Sequence, residues 1–547
     1  MIRLADHLII APVVLPLWAG AVMLALGGER RPLGGERRRN VNAVLNVAST
    51  FALVAISIAL LRTADAAASG VTSVYNLGDW PAPFAIVLVV DRLAALMLLV
   101  TSLLAAAAVV FSLARWHRVG VLFHPLFQFL LMGINGAFLT GDLFNLFVFF
   151  EVLLAASYGL ALHGSGSTRV MAGLHYIVVN LVASLLFLIG VSLIYGVAGT
   201  LNMADLTVRI SAIRAEDRAL LESGAGILAI AFLVKAGMWP LCFWLPGTYS
   251  AAPPPVASIF AILTKVGAYI VLRLWLLLFG ENAGASAQFG GDWLLLGGMA
   301  TVAFGSIGCL ASQDLARLAA FSVLVSSGTI LAATGMGQVG VTGAALFYLV
   351  SSTLGLGAFF LLIELVERGR EPGADVLAVT RELYGEEDEL AQSDEVGIAI
   401  PATMGVLGLA FVGCAVLLSG LPPLSGFIGK FALLTAALNT PAGEASIARW
   451  LLLLVLILSG LATLVAMTRA GIRAFWAAPD RTVPRVRLIE IAPVAVLLLL
   501  CAIQTIEAGP IMRFMQATAQ SLHAPQDYIR GVLGSTGERP SAPTGHT

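Results

Sequence analysis

Charge is scarce in this chain. Of 547 residues only 12% are Asp, Glu, Lys or Arg, against about 25% in an ordinary soluble domain. Hydrophobic residues make up 59%, and mean hydropathy is +0.93. A water-soluble fold of this length has too little interior to hide that excess. Soluble enzymes, nucleic-acid binders and disordered scaffolds are thereby excluded. A net charge of −1 gives no field that would select an acidic or basic partner. Cysteine is sparse as well: Cys242, Cys309, Cys414 and Cys501 lie far apart in apolar stretches. No CxxC or Cys/His cluster is present, so neither a metal site nor a disulfide framework is expected. Short strands of alternating polarity are missing, which excludes an outer-membrane barrel.

What is there are long apolar runs, near 8–27, 41–61, 84–113, 122–140, 143–162, 170–198, 224–246 and 252–280, then 292–311, 318–336, 341–366, 401–438, 447–475 and 488–506. A bilayer core about 30 Å thick takes about 20 residues per helix. These runs predict an all-α polytopic membrane protein with about fourteen spans. The first run has no basic start and no small-residue cleavage site, so it reads as a retained helix. Residues 367–397 are acidic and read as a solvated connection, and 525–547 read as a loose tail.

Arginine is distributed unevenly. The loop after the first span carries five, in GERRPLGGERRR, and Arg115, Arg118, Arg169, Arg317, Arg368, Arg370 and Arg381 fall in further odd-numbered connections. Arg469, Arg473, Arg481, Arg485 and Arg487 surround the thirteenth. Even connections are poor in basic residues apart from the mixed-charge segment 205–222. The positive-inside rule then predicts cytoplasmic odd loops and both termini outside the cytoplasm.

Lysine follows the opposite pattern. There are three, Lys235, Lys265 and Lys430, and each lies inside an apolar run. Intramembrane charge is costly and marks an ion path. A lysine in a dry site can release its proton, whereas arginine keeps its own. Glu151, in LFNLFVFFEVLLAASYGL, is the matching buried acid and the natural partner of Lys235. Asp142 and Glu364 stand near run ends and read as interfacial, as do Asp91 and Arg92, while Arg273 could reach the interface. His175 is a further possible proton relay. Pro240 and Pro246 follow Lys235, and Pro422 and Pro423 precede Lys430. Proline inside a span frees backbone groups that a neighbour or water must satisfy. Two such breaks in corresponding halves point to the site of a repeat transporter.

These residues resemble the antiporter-like subunits shared by respiratory complex I and the Mrp-type multisubunit cation/proton antiporters. The resemblance rests on FFEV at Glu151, KAGMWPLCFWLPGTYSAAPPPVASIFAILTKVGAY from Lys235 to Tyr269, QDLARLAAFSVLVSSG at 313–328 and SGLPPLSGFIGKF at 419–431. GDLFNLFVFFEVLLAASYGLALHG at 141–164 is most similar to the D subunits of the Mrp type. The resemblance implies spans 1–3 in 1–118, inverted five-helix repeats in 119–280 and 281–478, and a last span with its tail in 479–547. It implies proton translocation by Glu151, Lys235, Lys265 and Lys430, with Ser326, Ser351 and Ser352 ordering water where relatives carry titratable groups. It further implies a bacterial inner-membrane location, partner subunits (an A-subunit homologue and small membrane subunits), and H⁺ with Na⁺ or K⁺ as cargo. The chain is expected to be a transporter subunit rather than an enzyme, with no cofactor. The alternative is a proton-pumping subunit of a complex I-like or membrane-bound hydrogenase complex.

Overall fold

Aspartates open several of the helices. The Asp91 carboxylate accepts from the Ala94 backbone N–H at 2.8 Å, Asp142 accepts from Phe144 and Asn145, and Asp314 accepts from Arg317. Each meets N–H groups that a helix start leaves unpaired. The structure is a computed structural model, and it describes residues 6–26, 35–66, 73–80, 82, 86–368, 402–439, 447–475 and 484–534.

Among the described residues the chain forms nineteen α-helices. They are α1 (Ala11–Ala25), α2 (Gly35–Ala66), α3 (Arg92–Ser112), α4 (Phe123–Leu139), α5 (Leu143–Ala161), α6 (Ser167–Ala198), α7 (Met203–Ile210), α8 (Ala215–Ala236), α9 (Trp244–Ala251) and α10 (Pro254–Leu278). Then come α11 (Gly291–Ala311), α12 (Leu315–Gly335), α13 (Val339–Glu367), α14 (Ala402–Ser419), α15 (Ser425–Leu438), α16 (Ile447–Phe475), α17 (Leu488–Ile506), α18 (Ala508–His523) and α19 (Gln526–Gly534). Twelve are long and apolar enough to cross a membrane, and α1, α4 and α15 are shorter apolar helices. Each of the fourteen apolar runs holds one or more of these helices.

The bundle is centred on α10 and α13, whose apolar windows are entirely buried. Small residues set the spacing around them. Gly298 and Gly305 of α11 and Gly328 and Gly335 of α12 leave no room for a β-carbon against the facing backbone. Such close approach replaces the hydrophobic drive that helices lack in lipid. It fixes α12, which carries Ser326.

Three expectations change. Residues 84–113 were expected as one helical run, but Val87–Val90 is a buried strand paired antiparallel with Ser73–Asn76, and the helix starts at Arg92. The β-branched valines suit a strand, and Asp91 caps the helix that follows. The loose tail expected from 525 instead begins as α19, with Tyr528 and Val532 buried. Apolar residues at helical spacing give that segment one face to bury. Pro246 lies in the first turn of α9, where no N–H is needed, so it opens a helix rather than breaking one. The acidic 367–397 connection lies outside the described residues after Arg368, as do Arg30, Arg31, Arg370, Arg381, Arg481 and the tail beyond 534.

Candidate functional site

Two spans are interrupted beside a lysine. The first ends at Ala236 with Gly237 in the left-handed conformation at φ +70°, and the chain resumes as α9 at Trp244. Lys235 thus sits in the last turn of α8, at a broken helix end. The second runs as α14 to Ser419, turns through Gly420 to Leu424 with Pro422 and Pro423, and continues as α15. Lys430 follows in the second turn of α15.

The freed backbone groups are met differently at the two breaks. At the first, Ser327 Oγ donates to Ala236 O at 2.5 Å and the Trp244 indole donates to Val234 O at 3.2 Å. At the second, the lysine itself meets them. Lys430 Nζ donates to Ser419 O at 3.0 Å and to Leu418 O at 3.4 Å. A cation at a helix C-terminus satisfies both unpaired carbonyls and the negative end of the dipole.

Lys235, Lys265 and Lys430 are 7%, 0% and 6% exposed. Lys235 Nζ donates to Asn180 Oδ1 at 3.3 Å and stands 5.5 Å from the centre of the Phe150 ring. Glu151, half-buried, accepts from Ser184 Oγ at 2.5 Å. Glu151 and Lys235 attract one another electrostatically, yet no direct ion pair joins them. Asn180 and Ser184, one turn apart on α6, hold one partner each.

Lys265, the most deeply buried of the three, donates to Ser326 Oγ at 2.7 Å, and Ser326 Oγ donates to Ser352 Oγ at 2.7 Å. The neighbouring Ser351 shares a 2.8 Å hydrogen bond with Ser425, the first residue of α15. A small cavity, about 10 Å³ of it open to a water-sized sphere, lies between these groups. Ser322, Ser326, Ser351, Ser352, Tyr348 and Thr463 line it, together with Leu418, whose carbonyl accepts from Lys430. That volume is close to what one water requires. Adjacent serines on α12 therefore serve both lysine neighbourhoods: Ser326 takes Lys265, and Ser327 closes the helix end beside Lys235. Gly267 of α10 lies against the Lys235–Ala236 backbone, two residues from Lys265.

His175 is not brought to this line. It is exposed on α6, while the next residue, Tyr176, is buried. Successive helical residues differ in direction by about 100°, so the buried face carries Tyr176, Asn180 and Ser184 instead. The supposed interfacial groups also change character. Arg273 is buried and pairs with Asp91 at 2.7 Å, its Nε donating to the Tyr269 hydroxyl at 2.9 Å. Glu364 is buried, accepting from the Trp116 indole at 2.7 Å and from Arg368 at 2.6 Å. Arg368 also pairs with Glu490 at 2.7 Å.

Sequence reasoning missed Asn180, Ser184, Ser327 and Ser425. Asn180 and Ser184 had a signal, two polar residues four apart in an otherwise apolar helix. It also missed His124 and His163 packed on Phe123, with His117 against His124. His124 further joins a buried network with Asn46, Ser49 and Gln128.

Known proteins share this architecture. A family profile described as NADH:quinone oxidoreductase/Mrp antiporter, TM matches residues 140–462. The chain is 60% identical over 536 residues to the D subunit of a probable K⁺/H⁺ antiporter of Rhizobium meliloti, covering 97% of this chain and 98% of that one. It is 32% identical to the D subunit of the Na⁺/H⁺ antiporter of Alkalihalophilus pseudofirmus, covering 96% and 99%. A chain of the Mrp complex from Dietzia superposes with a TM-score of 0.82 at 26% identity, covering 97% of this chain and all of that one. The chain belongs to the NADH:quinone oxidoreductase/Mrp antiporter family of membrane proteins.

Proposed function

We propose that this chain is the D-type, proton-carrying subunit of a multisubunit monovalent cation/proton antiporter. The observation that carries the reading is the set of three lysines buried inside apolar helices, two of them linked through Ser326, Ser352 and the cavity shared with Leu418. Glu151 is the acid partner of Lys235, with Ser184 holding the one and Asn180 the other. Lys265 exchanges its proton with the serine hydroxyls, and Lys430 passes it on. A charge arriving on one site opposes charge on the next, strongly where water is scarce.

In this reading the chain crosses the bacterial inner membrane fourteen times, with 119–280 and 281–478 as inverted repeats. The two interrupted spans, each with a lysine beside its break, support the repeats. Contacts among Trp116, Arg169, Glu364, Arg368 and Glu490 gather arginine-bearing connections at one end, which supports a cytoplasmic assignment for that end. The relative at 60% identity is named for K⁺ and the one at 32% for Na⁺, so potassium is the first cation to test. The complex I-like alternative ranks second, because antiporter relatives match over almost the whole chain.

The test is co-expression with partner subunits in antiporter-deficient cells, followed by K⁺- and Na⁺-dependent proton flux in everted vesicles. Flux is expected from the assembled complex, its loss in Lys235→Ala, and none from this chain alone. Wild-type flux in an assembled Lys235→Ala complex would refute the reading.

A further inference from the structure

A second, larger cavity of about 830 Å³ opens where α13 begins, α15 ends and α18 crosses the bundle. Its polar lining includes Glu281, Gln338, Asn439, Gln516, Gln520 and His523. These come from even-numbered connections and the segment after the last apolar run, so they share the end of the bundle opposite the arginine-rich loops. No part of the lysine line uses them.

The cavity is not isolated from that line. Gly340 and Ala344 of α13 line the large cavity, and Tyr348, Ser351 and Ser352 line the small one. Spacings of four, four and three or four residues put all five on one stripe of α13. Ala344 and Tyr348 are one helical turn apart, about 6 Å. Tyr348 is buried, and its hydroxyl lies beside Thr329 and Ser326. A single turn of α13 thus separates an open polar cavity from the hydroxyls that serve Lys265.

His523 ends α18, an amphipathic helix packed along α13 and the outer ends of α10 and α17. Its Nε2 shares a 3.0 Å hydrogen bond with the Thr342 hydroxyl. The charged group facing it is Glu281, from the segment after α10. The last turn of α17 has no charged residue, and Arg513 and Glu507 lie more than two turns back along α18.

We infer that this cavity is the outer aqueous mouth of the proton path, entered by water and protons, with His523 as its titratable gate residue. The inference rests on the lysine-line reading and adds the place where the line meets outside water. A proton taken up by His523 Nε2 or its neutral tautomer partner Nδ1 passes to cavity water, then by way of Tyr348 and the serine hydroxyls to a neutral lysine amine. Release runs the same steps backwards, so each transfer conserves protons and charge. Burial holds His523 below the ordinary imidazole value, with Glu281 partly opposing, so the group takes up its proton as pH falls below about 6.5.

Two variants of the assembled complex test this in vesicles with controlled outer pH. In His523→Gln the polar contact to Thr342 is kept and titration is removed. Wild type is expected to change rate with outer pH in the window below about pH 6.5, and His523→Gln to lose that dependence while its response to inner pH stays. An outer-pH profile unchanged in His523→Gln overturns the gate. Gln520→Cys, treated from outside with a charged, impermeant maleimide, is expected to lose flux by about tenfold or more. Full flux after complete labelling overturns the mouth. Lys265→Ala, run in parallel, separates the two failures. Flux in that variant removes the lysine line and the mouth with it. A dead Lys265→Ala beside full flux in labelled Gln520→Cys removes the mouth alone.

Discussion

Lys265 gives its side-chain proton donor to Ser326 Oγ at 2.7 Å, although the two residues lie 61 positions apart and Lys265 has no exposed surface. The serine then donates onward to Ser352. A hydroxyl can both accept and donate, so the contact has the chemistry to relay a proton, as the proposed function requires.

Removing that hydroxyl is the first test. Ser326→Ala leaves the Lys265 ammonium without its hydrogen-bond acceptor, a loss of about 1–3 kcal/mol. Exchange by the assembled complex is expected to slow by about tenfold or more. Ser326→Thr, which keeps the hydroxyl, is expected to retain most of the rate. Equal rates for the Ala variant and wild type in vesicle flux would remove Ser326 from the path.

The Arg273–Asp91 pair gives a stability prediction. Asp91→Asn keeps a good helix cap for α3 but strands a buried guanidinium. Loss of one partner of such a pair costs about 3–5 kcal/mol. The double variant Asp91→Asn with Arg273→Met is expected to recover most of that loss. Thermal unfolding of the purified complex measures both, and simple additivity of the two changes would contradict a direct coupling.

Histidines at the arginine-rich end predict a pH dependence. Burial holds His117 and His163 below the ordinary imidazole value, and neighbouring arginines add to the effect while carbonyls of Ser112 and Trp116 oppose it. Their folded affinity for protons is lower than the unfolded one, so the unfolded chain binds more protons in the window below about pH 6.5. Stability is therefore complete above that window and falls as pH drops through it. Replacing His117 and His163 with Gln is expected to flatten the acid side of the unfolding profile. An unchanged profile would show that these groups do not titrate on unfolding.

The sequence made the membrane class, the apolar runs and the lysines legible, because composition and charge are counted without knowing contacts. Lys265 stands a dozen residues into an apolar run, and its burial could be read from that alone. Pairing could not. Glu151 reads as the natural partner of Lys235, yet Ser184 holds the acid and Asn180 holds the lysine. Which residue of α6 faces them depends on helix rotation, which also carries His175 outward. Arg273 reads as a residue that could reach the interface until the fold brings Asp91 to it from a segment 182 positions away. Tyr528 packs its ring 5.7 Å from the same guanidinium, a contact no local pattern in a supposed tail announces.

The most direct measurement is proton flux through the assembled complex carrying Lys265→Arg. Arginine keeps a positive charge and hydrogen-bond donors at the centre of the line but does not release its proton. If reversible protonation is the role of Lys265, the variant assembles, and cation-dependent flux in vesicles falls to the level of Lys265→Ala. Flux at the wild-type rate in Lys265→Arg would contradict the account, since a fixed charge would then suffice.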